Sequence, residues 1–474
     1  MRYVSTRGEA PPLDFVEVTL AGLARDGGLY VPDHWPHITQ ADIAGFAGRP
    51  YAEVAVEVIR PFVGDVIATA ELSRMAREAY GTFRHPAVVP IVQLGQNNFM
   101  LELFHGPTLA FKDVAMQLLA RLMDHALAAR GERTTVAVAT SGDTGGAAVE
   151  AFSGRARADL FVLFPAGRIS DVQRLMMTTA ADDNVHAIAI EGTFDDCQAI
   201  VKGMFNHHAF RDRVRLSGVN SINWARIVAQ VVYYFTAAAT LGAPHRKVAF
   251  TVPTGNFGDV FAGYVAARMG LPVDRLVVAT NVNDILVRTL STGVYDIREV
   301  VPTSSPSMDI QVSSNFEWLL FEAYHREDKA VRGLMNSLAQ SRRFSLSSGA
   351  LEAIRALFSA DRADEEETAA TIRTVLRETG RLIDPHTAVG VAVAEKEVRD
   401  PARDPAMPMI VLGTAHPAKF PDAVEAACGV RPALPEWLAD LPTRKERVRT
   451  MPVDQGAVER FVSAASRAAQ GAAA

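Results

Sequence analysis

A chain of 474 residues is longer than one simple hydrophobic core organises, so two or three substructures meeting at a ligand-holding cleft are expected. With 49% apolar and 22% charged residues, and no apolar run near the ~20 residues needed to span a bilayer, the composition excludes a disordered, fibrous or membrane-embedded protein. A net charge of -6 without basic runs interleaved with aromatics excludes a nucleic-acid binder and points to a metabolite.

The N-terminus, Met1 to Thr6, lacks a basic segment followed by an apolar stretch, so a cytoplasmic location is expected. Helical periodicity around Val54 to Val63 and turn chemistry at Asp26-Gly27-Gly28 and Val31-Pro32-Asp33 mark the first ninety or so residues as a separate unit. Beyond it, short apolar runs end in Gly or Ser/Thr loops and lead into amphipathic helices. The runs are Thr135 to Ala139, Leu160 to Phe164, Val185 to Ile190, Val248 to Val252, Leu276 to Ala279 and Met409 to Leu412, the pattern of βα units around a largely parallel sheet. Asp361 to Glu367, Pro401 to Pro408 and Pro432 to Pro442 read as solvated surface or connections, and the alanine-rich end after Ser463 as a fraying helix. Cys197 and Cys428 lack metal or redox spacing and read as reduced, buried small residues; no metal site is expected.

Three loops carry chemistry. In Glu102 to Asp113, Lys112 stands among apolar neighbours at a helix start, where desolvation and the positive helix end both favour its neutral, nucleophilic amine. In Val136 to Ala147, a strand runs into Ser141-Gly142-Asp143-Thr144, whose hydroxyls and free amides suit a carboxylate. In Val248 to Asp259, another strand runs into Gly255-Asn256-Phe257-Gly258, a helix start suited to a phosphate monoester. The loop lacks the third glycine of a dinucleotide fingerprint and the GK[ST] of a nucleotide loop. Taken singly, these are more simply a surface lysine, a capped helix and a tight turn. Together, they are the parts of a pyridoxal-phosphate site.

At this point the chain resembles the threonine synthases of the longer bacterial and fungal class, built on the fold of the tryptophan synthase β-subunit. The resemblance runs from Tyr3 to about Phe420. It rests on LARDGGLYVP from Leu23, HGPTLAFKD ending at Asp113, SGDTGGA from Ser141, NSINWARI from Asn220, GNFGD from Gly255 and LGTAHP from Leu412. It implies a fold-type II α/β enzyme with two parallel or mixed-sheet domains around a cleft and an N-terminal extension. The expected divisions are 1–95 for the extension, 96–133 with 215–474 for the large cofactor-binding domain, and 134–214 for a smaller mobile domain.

By the same resemblance Lys112 carries pyridoxal phosphate, Gly255, Asn256, Phe257, Gly258 and Asp259 form the loop for its phosphate, and Thr414 faces the pyridine nitrogen. Ser141, Gly142, Asp143 and Thr144 face the substrate, and Asn223 and Arg226 are candidates for its phosphate, with a helix cap and a structural ion pair as the plainer alternative. Asp259 beside a phosphate dianion is a charge conflict. His105, His386 and His416, each near a Gly or Pro turn, are read as turn histidines bonded to backbone. The implied activity is conversion of O-phospho-L-homoserine and water into L-threonine and phosphate, by a monomer or homodimer. A phospholyase giving 2-oxobutyrate, or a non-catalytic cofactor-binding homologue, are the alternatives.

Overall fold

The computed structural model describes residues 1–401 and 403–470. Ala402 and residues 471–474, which fall within the expected proline-bearing connection and the alanine-rich end, lie outside the described residues.

Two sheets organise the chain. The larger has six strands in the order Phe358–Arg362, Val273–Thr280, Val248–Pro253, Met409–Gly413, Asn98–Glu102 and Ile91–Gly95. Neighbours run parallel except for the final hairpin, where Ile91 pairs with Leu101 in antiparallel register. The smaller has five parallel strands in the order Val448–Met451, Val185–Ile190, Ala158–Pro165, Thr134–Ala139 and Leu216–Ser217. The central strands are continuous Val, Ile, Leu, Phe and Ala runs because helices cover both faces, leaving no solvent side for polar residues.

Six helices carry or flank the cleft: α1 (Lys112–Arg130), α2 (Asp143–Phe152), α3 (Asp171–Thr178), α4 (Trp224–Thr240), α5 (Gly258–Arg268) and α6 (Pro385–Val398). Helix α1 ends where Gly131 takes a left-handed conformation, φ 65°, and its amide returns to the carbonyls of Leu127 and Ala128. Nearly every side chain of α4 is buried, which fits its central place under the N-terminal unit.

The expected divisions differ from the observed sheets at both ends. Ile91–Gly95 pairs within the larger sheet and not with the N-terminal unit. Leu216–Ser217 and the chain from Val448 onward belong with the smaller sheet. An open parallel sheet needs its edges paired and its faces covered. The strand Val448–Met451 covers the edge of Val185–Ile190, and the helix Gln455–Ala465 buries Val458 and Val462 in the apolar cluster containing Ile188, Ile190 and Cys197. Asp361 to Glu367 is largely exposed, as expected, and is ordered by Asp364, which caps Glu365–Thr379 in a reciprocal capping box with Glu367. In Pro432 to Pro442, Leu438 and Leu441 are buried against Leu109, Leu175 and Met176. Cys197 is buried and Cys428 half-buried, both as free thiols.

The N-terminal unit is joined to the larger sheet through buried polar contacts. Trp318 donates to the Tyr30 carbonyl at 3.0 Å, while inside the unit Tyr3 donates to the Phe62 carbonyl at 2.7 Å. Glu317, 5% exposed, accepts from Thr6 Oγ1 at 2.6 Å and from both Arg7 Nε and Nη2 at 3.1 and 2.9 Å. Among the described residues, no helix is long and apolar enough to cross a membrane, and no group of three or more His, Cys, Asp or Glu could hold a metal ion. Glu317→Ala, which strands Arg7 and Thr6, is expected to cost about 3 kcal/mol and to lower the thermal midpoint followed by circular dichroism.

Candidate active site

The cleft between the sheets is assembled by a pairing that spans some three hundred residues. Segment Leu109 to Phe111, just before α1, lies antiparallel to Thr414 to His416, just after the strand Met409–Gly413. Phe111 N donates to Thr414 O at 2.8 Å, and His416 N to Leu109 O at 3.0 Å. This brings Lys112 and Thr414 to one cavity, which is also lined by Asp143 and Thr144, by Gly255 to Asp259, and by Arg226.

Lys112 is the first residue of α1, its side chain 12% exposed and its Nζ 5.0 Å from the centroid of the Phe111 ring. Burial lowers its pKa; Asp143, 3.4 Å from Nζ, opposes the change, while Lys419 and Arg226 add to it. The next residue, Asp113, accepts from Thr108 N and Oγ1 at 2.8 and 2.6 Å, and burial pushes its carboxyl up to about 6.

The loop from Gly255 to Asp259 forms a cradle. Phe257 stands at φ 70° and α5 begins with no side chain capping it, so its first amides face the cavity without a partner from the helix. The backbone is approached so closely that a Cβ at Gly255 would lie 2.5 Å from the Ser307 carbonyl, and one at Gly258 2.8 Å from Asn315 Nδ2. Asp259 resolves its own charge conflict. Its Oδ1 accepts from Tyr233 at 2.5 Å and Tyr234 at 3.0 Å, Oδ2 has no partner among the described residues, and burial raises the carboxyl to about 6. An anion placed beside it would raise the carboxyl further, towards the neutral acid.

Arg226 is 2% exposed, with Nη1 donating to the Val219 carbonyl at 3.2 Å, Nε unpartnered, and its pKa drawn down to about 10 by burial. No carboxylate pairs with it among the described residues, so the structural ion pair is not its role. Asn223 does not line the cavity. It caps α4, accepting from Ala225 N at 3.0 Å and donating to the carbonyls of Thr19 and Gly218 at 2.9 and 3.2 Å.

Of the loop after Thr134–Ala139, Asp143 and Thr144 line the cavity and Ser141 and Gly142 do not. Asp143 is a poor carboxylate clamp, because it is itself an anion. Burial alone would raise its pKa, but Lys419 and Lys112 outweigh that and hold it well below the usual range. Lys419, Ser307 and Gln173, all touching Asp143, carry no local motif and were missed in the sequence; so was Ser221, on the cavity wall.

Thr414 is buried, and its hydroxyl has no hydrogen-bond partner among the described residues, although its amide donates to Thr387 Oγ1 at 3.2 Å. The three histidines are tied into the fold. His386 has Nδ1 2.7 Å from Asp384 and accepts from Ser307 N on Nε2 at 3.2 Å; His105 lies 2.7 Å from Glu102; His416 accepts from Ala418 N at 3.1 Å, its pKa drawn down to about 4 by burial and by His105.

Three family models cover most of the chain: the threonine synthase N terminus over residues 2–80, a pyridoxal-phosphate-dependent enzyme over 87–412, and the threonine synthase C-terminal part over 387–462. The chain is 54% identical over 464 residues to the threonine synthase of Pseudomonas aeruginosa, covering 98% of each. It is 39% identical over 485 residues to that of Saccharomyces cerevisiae, covering 94% of each. Among solved structures, the pyridoxal-phosphate-bound threonine synthase of Brucella melitensis matches with a TM-score of 0.94 at 62% identity, over 98% of this chain and 100% of that one. The Escherichia coli threonine synthase matches at 0.82 and 31% identity, over 98% and 100%.

Because the folded Asp259 binds its proton more tightly than the unfolded one, its contribution to stability is present below about pH 4 and is lost as pH rises through about 6. Asp259→Asn keeps an acceptor for both tyrosines and cannot ionise. It is expected to gain up to about 3 kcal/mol over the parent above pH 6, the gap closing below about pH 4, in melting curves recorded across that range.

Proposed function

This chain belongs to the threonine synthase family of pyridoxal-phosphate enzymes, and we propose from that premise how its residues share the conversion of O-phospho-L-homoserine and water into L-threonine and phosphate. The observation that carries the assignment of roles is a buried lysine at a helix start, in one cavity with an uncapped second helix start and a buried arginine that lacks a carboxylate. The residues present fit the cofactor: an amine for its carbonyl, a glycine-lined cradle for its phosphate, and a free hydroxyl for its ring nitrogen.

When bound, pyridoxal phosphate supplies an electron sink that makes the protons next to the substrate amine removable and lets the γ-phosphate leave. Lys112 would bear it, and its amine, when free, would move the protons at Cα and Cβ of the substrate. Its depressed pKa supports that, since only a neutral amine accepts a proton. Gly255 to Asp259 bind the cofactor phosphate through backbone amides, with the Asp259 carboxyl neutral in the presence of the dianion. Thr414 meets the pyridine nitrogen with a hydroxyl; unlike a carboxylate, it does not hold that nitrogen protonated, which moderates the sink.

Arg226 takes the substrate phosphate, a dianion that satisfies a buried guanidinium which nothing else neutralises. Thr144, on the cavity wall, takes the substrate carboxylate as the smaller-sheet side closes over the cleft, excluding bulk water that would otherwise divert the reaction towards 2-oxobutyrate and ammonia. Asn223 serves by holding the start of α4, and hence Arg226, against the N-terminal unit. A cytoplasmic location, and action as a monomer or homodimer on a small metabolite without nucleic acid, belong to the same reading.

The test is a paired product assay with O-phospho-L-homoserine: threonine equal to phosphate released supports the synthase, whereas phosphate with 2-oxobutyrate supports a phospholyase. Lys112→Ala is expected to abolish turnover, by at least about a thousandfold, with an unchanged circular dichroism spectrum; normal threonine formation by this variant would refute the role of Lys112. Arg226→Ala is expected to raise KM for the phosphorylated substrate by about tenfold to a hundredfold while leaving cofactor affinity within about threefold, measured by fluorescence titration. Loss of cofactor affinity instead would move Arg226 to the cofactor phosphate.

A further inference from the structure

Lys419 has no exposed side-chain surface, and its Nζ lies 2.8 Å from Asp143 Oδ1 while donating to the Thr108 carbonyl at 2.8 Å. The other oxygen of the same carboxylate faces Lys112 Nζ at 3.4 Å and Ser307 Oγ at 3.4 Å; Gln173 Nε2 donates to Oδ1 at 3.0 Å. Two buried ammonium groups therefore flank one carboxylate. One of them does not stay: on the reading that Lys112 carries the cofactor, its ammonium is withdrawn from Asp143 when it does so. A buried carboxylate without a cation is strongly destabilising. Lys419 is the cation that remains.

The same contacts cross the cleft. Asp143, Ser170 and Gln173 follow strands of the smaller sheet, whereas Thr108, Lys112 and Lys419 follow strands of the larger. Ser170 Oγ donates to the Lys419 carbonyl at 3.0 Å, beside the Lys419 to Asp143 pair.

We propose that Lys419 is a positioning residue of the reaction: it holds the Asp143 carboxylate ionised and in place whatever the state of Lys112, and with Ser170 it fastens the two sides of the cleft. The pair sets the charge around the Lys112 amine. That amine is faced by Asp143 from α2, Lys419 from the turn after Thr414, Arg226 from α4 and Asp259 from α5, and His386 of α6 faces Asp143. Removing Lys419 leaves Lys112 alone with the carboxylate, so the amine keeps its proton to higher pH; removing the carboxylate does the reverse.

The experiment uses the cofactor-loaded protein and three variants, Lys419→Met, Asp143→Asn and the double variant, followed by the pH dependence of the cofactor absorbance alongside kcat and KM. In Lys419→Met, the absorbance midpoint and the acid limb of kcat are expected to move up by on the order of one pH unit. In Asp143→Asn they move down, and in the double variant they return towards the parent. Lys419→Met is also expected to lose at least about tenfold in kcat with KM within about threefold, and Lys419→Arg to keep the parent midpoint.

A purely structural lysine would lower the melting temperature without moving the midpoint in any variant, and that result overturns the proposal. If Lys419→Met does not fold, the double variant decides, since it leaves no unpaired charge: recovery of folding supports the pairing, and continued failure overturns it. Borohydride reduction and peptide mapping locate the cofactor independently. An adduct on a lysine other than Lys112 would overturn the role of Lys112 itself, a failure distinct from an unmoved midpoint.

Discussion

The antiparallel contact between Leu109 to Phe111 and Thr414 to His416 is the constraint on which the site depends. Backbone amides and carbonyls at the end of two parallel strands have no further ladder to join, and buried they must find partners. Pairing with each other satisfies them and sets Lys112 and Thr414 on one cavity. Asp113 secures the near side by accepting from Thr108, and His416 the far side by accepting from Ala418, the residue before Lys419.

The cavity handles charge by distributing it over several elements. Two groups are open to anions: the uncapped amides at the start of α5, and Arg226, whose burial without a carboxylate among the described residues leaves it available. Negative groups close by are either neutralised or paired: Asp259 is held near protonation by burial between two tyrosines, and Asp143 is held ionised by two lysines. The two carboxyl groups thus shift in opposite directions within one cleft: burial outweighs the two tyrosine hydrogen bonds at Asp259, whereas two lysines outweigh burial at Asp143.

The N-terminal unit contributes through support. Its strand pair and helices bury Trp224, and its Thr19 carbonyl holds Asn223 at the start of α4. Arg226 comes one turn later on that helix, so the unit fixes the backbone that carries the guanidinium. Trp318 and Glu317 repeat the arrangement on the other side, reaching Tyr30, Thr6 and Arg7.

From the sequence alone, two strand-loop-helix segments and the loop-to-helix segment bearing Lys112 were legible, and with them the glycine-rich turn at Gly255 to Asp259 and the parallel sheet character. Each is local: a buried apolar run, a glycine or hydroxyl turn and a helix start lie within a dozen residues, and spacing alone brings their atoms together. The sheet edges were not legible, because Leu216–Ser217 and Val448–Met451 are short and their pairing partners lie elsewhere in the chain. Nor were the raised pKa of Asp259, the capping role of Asn223, or the place of Lys419 beside Asp143. A carboxyl's proton affinity and an amide's partners depend on what packs against them from distant segments. Tyr233 and Tyr234 for Asp259, Thr19 for Asn223 and residue 419 for Asp143 are brought near only by the tertiary fold, through burial and long-range pairing that no local spacing encodes.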